Sequence, residues 1–167
     1  IGAARQGLAL ARYLINQHAR VTLNDQQTPE QLQQVMQPFA GSGVEWVLGG
    51  HPLSLLDGKD LVCVSGGVPL TLPLVQAALE RGIPLTNDSQ LFMETVKAPV
   101  VGITGSAGKT TTTSIFGRMA TAALKSPRKA WVGGNIGNPL VEYSEKIDAN
   151  DLVIQEFSSF QLELMTT

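Results

Sequence analysis

A glycine turn lies between an apolar run and a helix-like segment in the second half of the chain. The apolar run covers residues 100–104, the turn is Gly105-Ser106-Ala107-Gly108, and the helical pattern covers residues 109–124. Glycines let the backbone curl so that several N–H groups point at one anion, and the start of the following helix adds its dipole. This segment, called the Gly105 turn below, therefore predicts a polyphosphate site. The strict phosphate-loop pattern has glycine at position 103, where this chain has Ile103, so the match is a variant.

The chemistry of a nucleoside triphosphate assigns roles to the residues around this turn. Lys109 is predicted to reach the β- and γ-phosphates, and the Thr110 hydroxyl is predicted to coordinate Mg²⁺. A second, acidic metal ligand is expected at the carboxyl end of a neighbouring strand, where Glu156 follows the apolar run at residues 152–155. We therefore predict Lys109 and Glu156 as catalytic residues and Thr110 with Glu156 as metal ligands. The residues predicted to surround ATP are Gly105, Ser106, Ala107, Gly108, Lys109, Thr110 and Thr111.

Both interpretations have simpler alternatives. The Gly105 turn can be an ordinary turn in which a threonine caps a helix. Glu156 can be a surface carboxylate at the end of a strand, which is common in proteins.

The fold class follows from short aliphatic runs that alternate with helical patterns. These runs cover residues 21–23, 61–64, 100–104, 131–132 and 152–154. Apolar runs that are bounded by turn residues and separated by helices predict an α/β fold with parallel sheets. We expect a Rossmann-like amino-terminal parallel-sheet domain followed by a P-loop ATPase-type domain. A boundary is predicted at Lys97-Ala98-Pro99, where a helix-like stretch ends and the apolar run before the Gly105 turn begins.

Composition excludes several classes of function. Twelve basic residues against fourteen acidic ones give a net charge of -2, which argues against a nucleic-acid coat or a polybasic membrane anchor. The longest uncharged stretch, residues 61–79, contains glycines and prolines that a membrane span would not carry. The single cysteine, Cys63, lies in an apolar run and cannot form an internal disulfide, so a cytoplasmic location is expected.

The two ends of the sequence predict a fragment of a longer protein. A glycine turn at residues 2–7, called the Gly2 turn below, follows Ile1 with no apolar run before it. The sequence stops at Thr167 inside an apolar, helix-like pattern that has no glycine or proline to end it.

Three motifs occur in a recognisable order and spacing: Thr104–Thr111, Gly133–Gly137 and Glu156–Leu162. Together they resemble the Mur ligases. Two segments of the first half, Ser65–Pro69 and Asn87–Phe92, resemble further turns of that family, so nearly the whole chain is covered. The Glu-Phe-Ser-Ser-Phe-Gln-Leu run is similar to that of the member that adds D-glutamate. Departures from the usual pattern occur at Ala107, Gly66 and Gln90, and none of them removes a phosphate ligand.

The resemblance implies an ATP-dependent amide ligase of peptidoglycan precursor synthesis. ATP would phosphorylate the carboxylate of UDP-N-acetylmuramoyl-L-alanine, and the amine of D-glutamate would attack the acyl phosphate, with Mg²⁺ as the metal. Residues 1–97 would be the UDP-sugar-binding domain with a truncated first strand, and residues 98–167 the start of the ATP-binding central domain. The family's third domain is absent from the sequence, so the chain alone is expected to be inactive. A monomer that binds no nucleic acid and enters no membrane is expected.

The resemblance also implies a set of nucleotide-sugar contacts. Arg5 and Gln6 in the Gly2 turn would meet the pyrophosphate or uracil, and Asp25 with Gln26 would face the nucleoside at the end of a strand. Other contacts carried over from the family are Ser65, Gly67, Asn135, Ser159 and Gln161. The Gly2 turn can instead be an unoccupied helix start, and Asn135 can be a simple turn former.

Rival functions come from the same family and from outside it. Other Mur ligases and the folylpolyglutamate synthases share the Thr-Gly-x-x-Gly-Lys-Thr loop. A module that binds ATP or a uridine nucleotide without turnover is the alternative outside the enzymes.

Overall fold

The computed structural model describes residues 1–166, which belong to two compact units. The first unit runs from Ile1 to Asp88, and the second begins at Ser89. All strand pairs of the described residues are parallel, so the predicted mixed α/β fold with parallel sheets is confirmed. Within residues 1–166, no helix is both long enough and apolar enough to cross a membrane.

The first unit alternates helices and short strands. Its helices are α1 (Arg5–Asn16), α2 (Pro29–Met36) and α3 (Pro73–Glu80), and short 3-10 helices cover Gln37–Phe39 and Leu53–Leu56. Its strands are β1 (Thr22–Asp25), β2 (Glu45–Leu48), β3 (Val62–Cys63) and β4 (Leu85–Thr86). Helix α4 (Asp88–Thr95) begins at the last residue of this unit.

The Gly2 turn lies at the carboxyl ends of β1 and β3. Strand β1 pairs with β2, and β3 pairs with β4. The Gly2 amide donates to the Asn24 carbonyl at 2.8 Å, and the Ser65 amide donates to the Ile1 carbonyl at 3.0 Å. Residues 1 and 2 therefore bridge the two strand pairs and place the start of α1 beside both strand ends.

Local signals explain the helix starts and the core of this unit. Thr28 is the N-cap of α2 with Pro29 at its first position, and the Thr28 amide donates to Gln31 Oε1 at 2.9 Å. The apolar face of α1 packs on β1 through a cluster of buried side chains: Leu8, Ala11, Leu23 and Phe39. Burial of such side chains supplies most of the stability of a small α/β unit.

The second unit is built on a three-stranded parallel sheet. Its strands are β5 (Val100–Ile103), β6 (Ala130–Gly134) and β7 (Leu152–Glu156), in the spatial order β5-β7-β6. Helix α5 (Lys109–Ala123) follows β5, a 3-10 helix covers Leu140–Lys146, and α6 (Ser159–Glu163) follows β7. The strand predicted at residues 131–132 is longer at both ends, because both of its ends pair with β7.

The order of the strands decides where the end of β7 lies. Ile103 of β5 and Gly134 of β6 are both in register with Glu156 of β7. The carboxyl ends of all three strands therefore meet at one edge of the sheet, with Glu156 in the middle. Phe157 packs over β5, where a Cβ on Gly102 would lie 2.9 Å from its ring.

Candidate functional site

The Gly105 turn connects the end of β5 to the start of α5. Gly105 has a φ of +144° and Gly108, the N-cap of α5, has a φ of +77°. These angles are accessible to glycine at little cost, so the two glycines permit the tight path of the chain. Thr112 makes the first helical hydrogen bond, to the Gly108 carbonyl at 2.9 Å. The amides that precede it belong to the exposed turn and the first turn of α5, where an anion is favoured.

Lys109 folds back over the turn. Its Nζ donates to the Gly105 carbonyl at 2.7 Å, so the ammonium group lies against the main chain of the Gly105 turn. A positive charge and a helix N-terminus at the same turn favour a polyanion.

Glu156 lies at the carboxyl end of β7 and is 1% exposed. The Thr110 hydroxyl donates to its Oε2 at 3.0 Å, and Asn135 Nδ2 donates to its Oε1 at 2.9 Å. The structure thus brings together Thr110 and Glu156, the two residues predicted as metal ligands. It also shows that Asn135 contacts Glu156. Sequence reasoning missed this contact, because 21 positions separate Asn135 from Glu156 and only the pairing of β6 with β7 brings them together.

The spacing of the Thr110 and Glu156 oxygens fits one magnesium ion. Octahedral Mg²⁺ holds its ligands at about 2.1 Å, so that two adjacent ligand oxygens lie about 3.0 Å apart. The observed separation of Thr110 Oγ1 and Glu156 Oε2 is 3.0 Å. No cluster of three or more His, Cys, Asp or Glu side chains suited to a metal occurs in residues 1–166. An ion here would therefore take its remaining ligands from phosphate oxygens and water, as Mg²⁺ commonly does.

The glycines before Asn135 permit a close approach of β6 to β7. A Cβ on Gly133 would lie 2.4 Å from the Asn138 carbonyl oxygen, and one on Gly134 would lie 2.5 Å from the Glu156 carbonyl oxygen. Gly134 also has a φ of +101°. The Gly-Gly-Asn sequence is therefore the one that lets the chain turn directly against the end of β7.

Two other predicted site residues lie in or near α6. Ser159 is the first residue of α6 and is exposed. Gln161 is fully buried, and its Oε1 accepts a hydrogen bond from the Ser158 amide at 2.9 Å in a capping box. This hydrogen bond of Gln161 is that of a helix cap.

The first unit gathers the remaining predicted residues around the Gly2 turn. Asp25 is buried at the end of β1, where its Oδ2 accepts from the Ala3 amide at 2.7 Å and its Oδ1 from the Gln27 amide at 2.9 Å. This carboxylate therefore fixes the turn against β1. Arg5, Gln26 and Gly67 are exposed in the same unit, Arg5 within the turn and the other two after β1 and β3.

Gln6 and Ser65 connect the Gly2 turn to the loop after β3. Gln6 Oε1 accepts from the Gly66 amide at 3.3 Å, and the Ser65 hydroxyl donates to the Gly2 carbonyl at 3.2 Å. Gln6 Nε2 is buried without a hydrogen-bond partner in this structure. A buried donor that lacks a partner is costly, so an acceptor that reached it would bind favourably.

Cys63 lacks the properties of a nucleophile. Burial raises the pKa of the Cys63 thiol to about 11. The thiolate, which is the reactive form, is therefore scarce at neutral pH.

Comparison with known proteins identifies the family of the chain. The family model for the N-terminal domain of MurD-like Mur ligases matches residues 1–87, which is more than half of the chain. The chain belongs to the MurD-like Mur ligases. The family predicted from the three sequence motifs is thereby confirmed.

Individual relatives of this MurD-like chain carry the same ligase name. UDP-N-acetylmuramoylalanine--D-glutamate ligase of Syntrophotalea carbinolica is 41% identical over 167 residues, which are 100% of this chain and 36% of that protein. The enzyme of that name from Exiguobacterium sibiricum is 42% identical over 162 residues, 97% of this chain and 35% of that protein. The chain thus spans little more than a third of the length of these relatives, and the similarity extends through both units.

The fold also occurs among solved structures. The UDP-N-acetylmuramate:L-alanyl-gamma-D-glutamyl-meso-diaminopimelate ligase from Neisseria meningitides is 22% identical, with a TM-score of 0.53. The match covers 90% of this MurD-like chain and 49% of that one. At this level of identity the likeness concerns the fold alone.

Proposed function

We propose that this chain supplies the nucleotide-sugar-binding and ATP-binding parts of a ligase that adds D-glutamate to UDP-N-acetylmuramoyl-L-alanine. The observation that carries the proposal is the constellation of Lys109, Thr110 and Glu156 around the Gly105 turn. The relatives support the reaction, because the proteins that match at about 40% identity are named for it. The first unit would be the Rossmann-like UDP-sugar domain, and the second would begin the P-loop ATPase-type domain.

The chemistry explains why such a ligase needs this constellation. A carboxylate resists attack by an amine because it is negatively charged and has no good leaving group. Phosphorylation by ATP converts it to an acyl phosphate, and phosphate then leaves when the D-glutamate amine attacks. Lys109 and the amides of the Gly105 turn would offset negative charge on the transferred phosphoryl group. Thr110 and Glu156 would hold Mg²⁺, which supplies further neutralisation of the phosphate oxygens when bound.

The nucleotide-sugar would bind in the first unit at the Gly2 turn. Arg5 offers a charge for the pyrophosphate, and the unpartnered Nε2 of Gln6 offers a buried donor. Asp25, Gln26, Ser65 and Gly67 belong to the segments that end beside the same turn. In the second unit, Asn135, Ser159 and Gln161 remain proposed contacts of the same substrate. We also propose that the protein acts in the cytoplasm as a monomer.

The ATP assignment is tested by Lys109→Ala. Calorimetric titration of the unaltered chain with a non-hydrolysable ATP analogue and Mg²⁺ should show one site. Removal of the ammonium group should weaken that binding by about tenfold or more, because a charge-assisted hydrogen bond to phosphate contributes about 1.5 to 3 kcal/mol. Lys125→Ala is the matched control, since Lys125 is exposed just beyond the other end of α5, about 22 Å along the helix.

The outcome distinguishes a nucleotide site from an ordinary turn. Equal affinities for the analogue in the Lys109 and Lys125 variants would contradict the role of the Gly105 turn. A parallel titration with UDP should reveal a second, independent site. Indifference to UDP would remove the nucleotide-sugar assignment of the first unit.

A further inference from the structure

Asn135 holds the end of β7 with both its main chain and its side chain. Its amide donates to the Glu156 carbonyl at 2.8 Å, and its Nδ2 donates to Glu156 Oε1 at 2.9 Å. We propose that Asn135 is a positioning residue that aims the Glu156 carboxylate at the metal of the proposed ATP site. This role rests on the proposed function, and it is separate from the substrate contact that the family resemblance suggests for Asn135.

The main chain of Gly134 and Asn135 holds the Asn135 side chain within reach of Glu156. Gly134 allows the turn to press against β7, because a Cβ there would collide with the Glu156 carbonyl oxygen at 2.5 Å. The amide of Asn135 then fixes its backbone to that same carbonyl. From this anchored position the short asparagine side chain reaches the carboxylate of Glu156, and the anchoring does not depend on which side chain residue 135 carries.

The chemistry of the two donors suits a metal ligand. Asn135 and Thr110 are uncharged donors, each on a different oxygen of Glu156. They restrict rotation of the carboxylate while leaving its negative charge available to a cation. A cationic partner would instead compete with the metal for that charge. Groups that orient a metal-binding carboxylate in this way commonly change metal affinity by about 10- to 100-fold when they are removed.

The test compares nucleotide affinity with and without the metal. The 167-residue chain is titrated with a non-hydrolysable ATP analogue in EDTA and again in excess Mg²⁺. The ratio of the two affinities is the gain due to magnesium. Asn135→Ala should reduce this gain by about tenfold or more while leaving the affinity in EDTA unchanged. Asn138→Ala is the matched control, because Asn138 is exposed in the same turn and should leave both affinities unchanged.

A double variant tests whether Asn135 changes the gain due to magnesium through Glu156. Glu156→Gln should itself remove most of the gain due to magnesium, and adding Asn135→Ala to it should produce no further loss. Additive losses in the double variant would overturn the positioning role. Asn135→Ser, which keeps a polar side chain too short to reach the carboxylate, should behave like Asn135→Ala and serves if the alanine variant fails to fold.

The results separate this inference from the proposed function. If the unaltered chain shows no magnesium-dependent binding of the analogue, the proposed function fails and the role of Asn135 with it. If the unaltered chain shows that binding and Asn135→Ala retains the full gain, only the positioning role is overturned. If Asn135→Ala changes affinity for a UDP-sugar and not the gain due to magnesium, Asn135 contacts the substrate instead.

Discussion

At the scale of single residues, Gly108 in the proposed ATP site has a backbone conformation that favours glycine. Its φ of +77° lies in the left-handed region, and a Cβ there would meet nothing within 4 Å. The cost of a side chain at this position is therefore purely conformational. We expect Gly108→Ala to lower the free energy of unfolding by about 1 to 2 kcal/mol, measured by chemical denaturation.

Gly67→Ala is the control for this prediction. Gly67 is exposed, has no positive φ and has open space where a Cβ would stand. Its substitution should change the free energy of unfolding by less than about 0.5 kcal/mol. Equal losses of stability in the two variants would show that backbone angle at Gly108 is not the source of the effect.

The residues in and after the Gly105 turn were predictable from the sequence, whereas the contact between Asn135 and Glu156 was not. A turn between a strand and a helix depends on neighbours in the chain. The sequence alone therefore indicates the roles of Gly105, Gly108, Lys109 and Thr110. The contact of Asn135 with Glu156 depends on which strands pair. The sequence motif around Asn135 is equally compatible with a simple turn former, so the contact needed the structure.

At the scale of elements, the alternation of apolar runs and helices predicts parallel strands but not their spatial order. The order β5-β7-β6 places the last strand in the chain at the centre of the three. Nothing in the alternation of apolar and polar residues distinguishes this order from a sequential one. The central position of β7 explains why its end, Glu156, is buried while the Gly105 turn is exposed.

Asp151 joins the starting ends of β6 and β7. Its carboxylate accepts hydrogen bonds from the Lys129 amide at 2.7 Å, the Trp131 indole at 2.8 Å and the Asp148 amide at 3.1 Å. We expect Asp151→Asn to lower the free energy of unfolding by about 1.5 to 3 kcal/mol, because an amide cannot accept all three bonds. Asp60→Asn, at an exposed aspartate in the other unit, should cost less than about 0.5 kcal/mol.

The stabilisation by Asp151 should depend on pH. Burial raises the pKa of Asp151, but hydrogen bonds from the Trp131 indole and from the amides of Lys129 and Asp148 outweigh burial and hold the pKa below its ordinary 3.8. A depressed pKa means that the stabilisation is present above pH 3.8 and is lost as the pH falls through the folded-state pKa. The stability difference between Asp151→Asn and the unaltered chain should therefore shrink in acid. A difference that stayed constant down to pH 2 would contradict this account.

At the scale of the whole molecule, ATP and the UDP part of the nucleotide-sugar are assigned to different units. The residues assigned to ATP all lie after Ser89, and the Gly2 turn with its UDP contacts lies before Asp88. Each unit has its own parallel strand pairs and its own hydrogen-bonded turn at their carboxyl ends. The proposed contacts of ATP and those of the UDP part of the nucleotide-sugar therefore each lie within one unit, and each of these two ligands should stabilise the unit that binds it.

Hydrogen exchange of the backbone amides can measure the stabilisation of each unit by a ligand separately. A ligand present at 100 times its dissociation constant stabilises the folded state by about 2.7 kcal/mol, which slows exchange through unfolding by about 100-fold. Mg²⁺ with the ATP analogue should protect β5, β6 and β7, and UDP should protect β1 and β3. Lys109→Ala should reduce the first protection to about tenfold or less and retain the second, because Lys109 belongs to the second unit. Equal protection of both units by either ligand would mean that they unfold together, and the assignment of one ligand to each unit would lose its support.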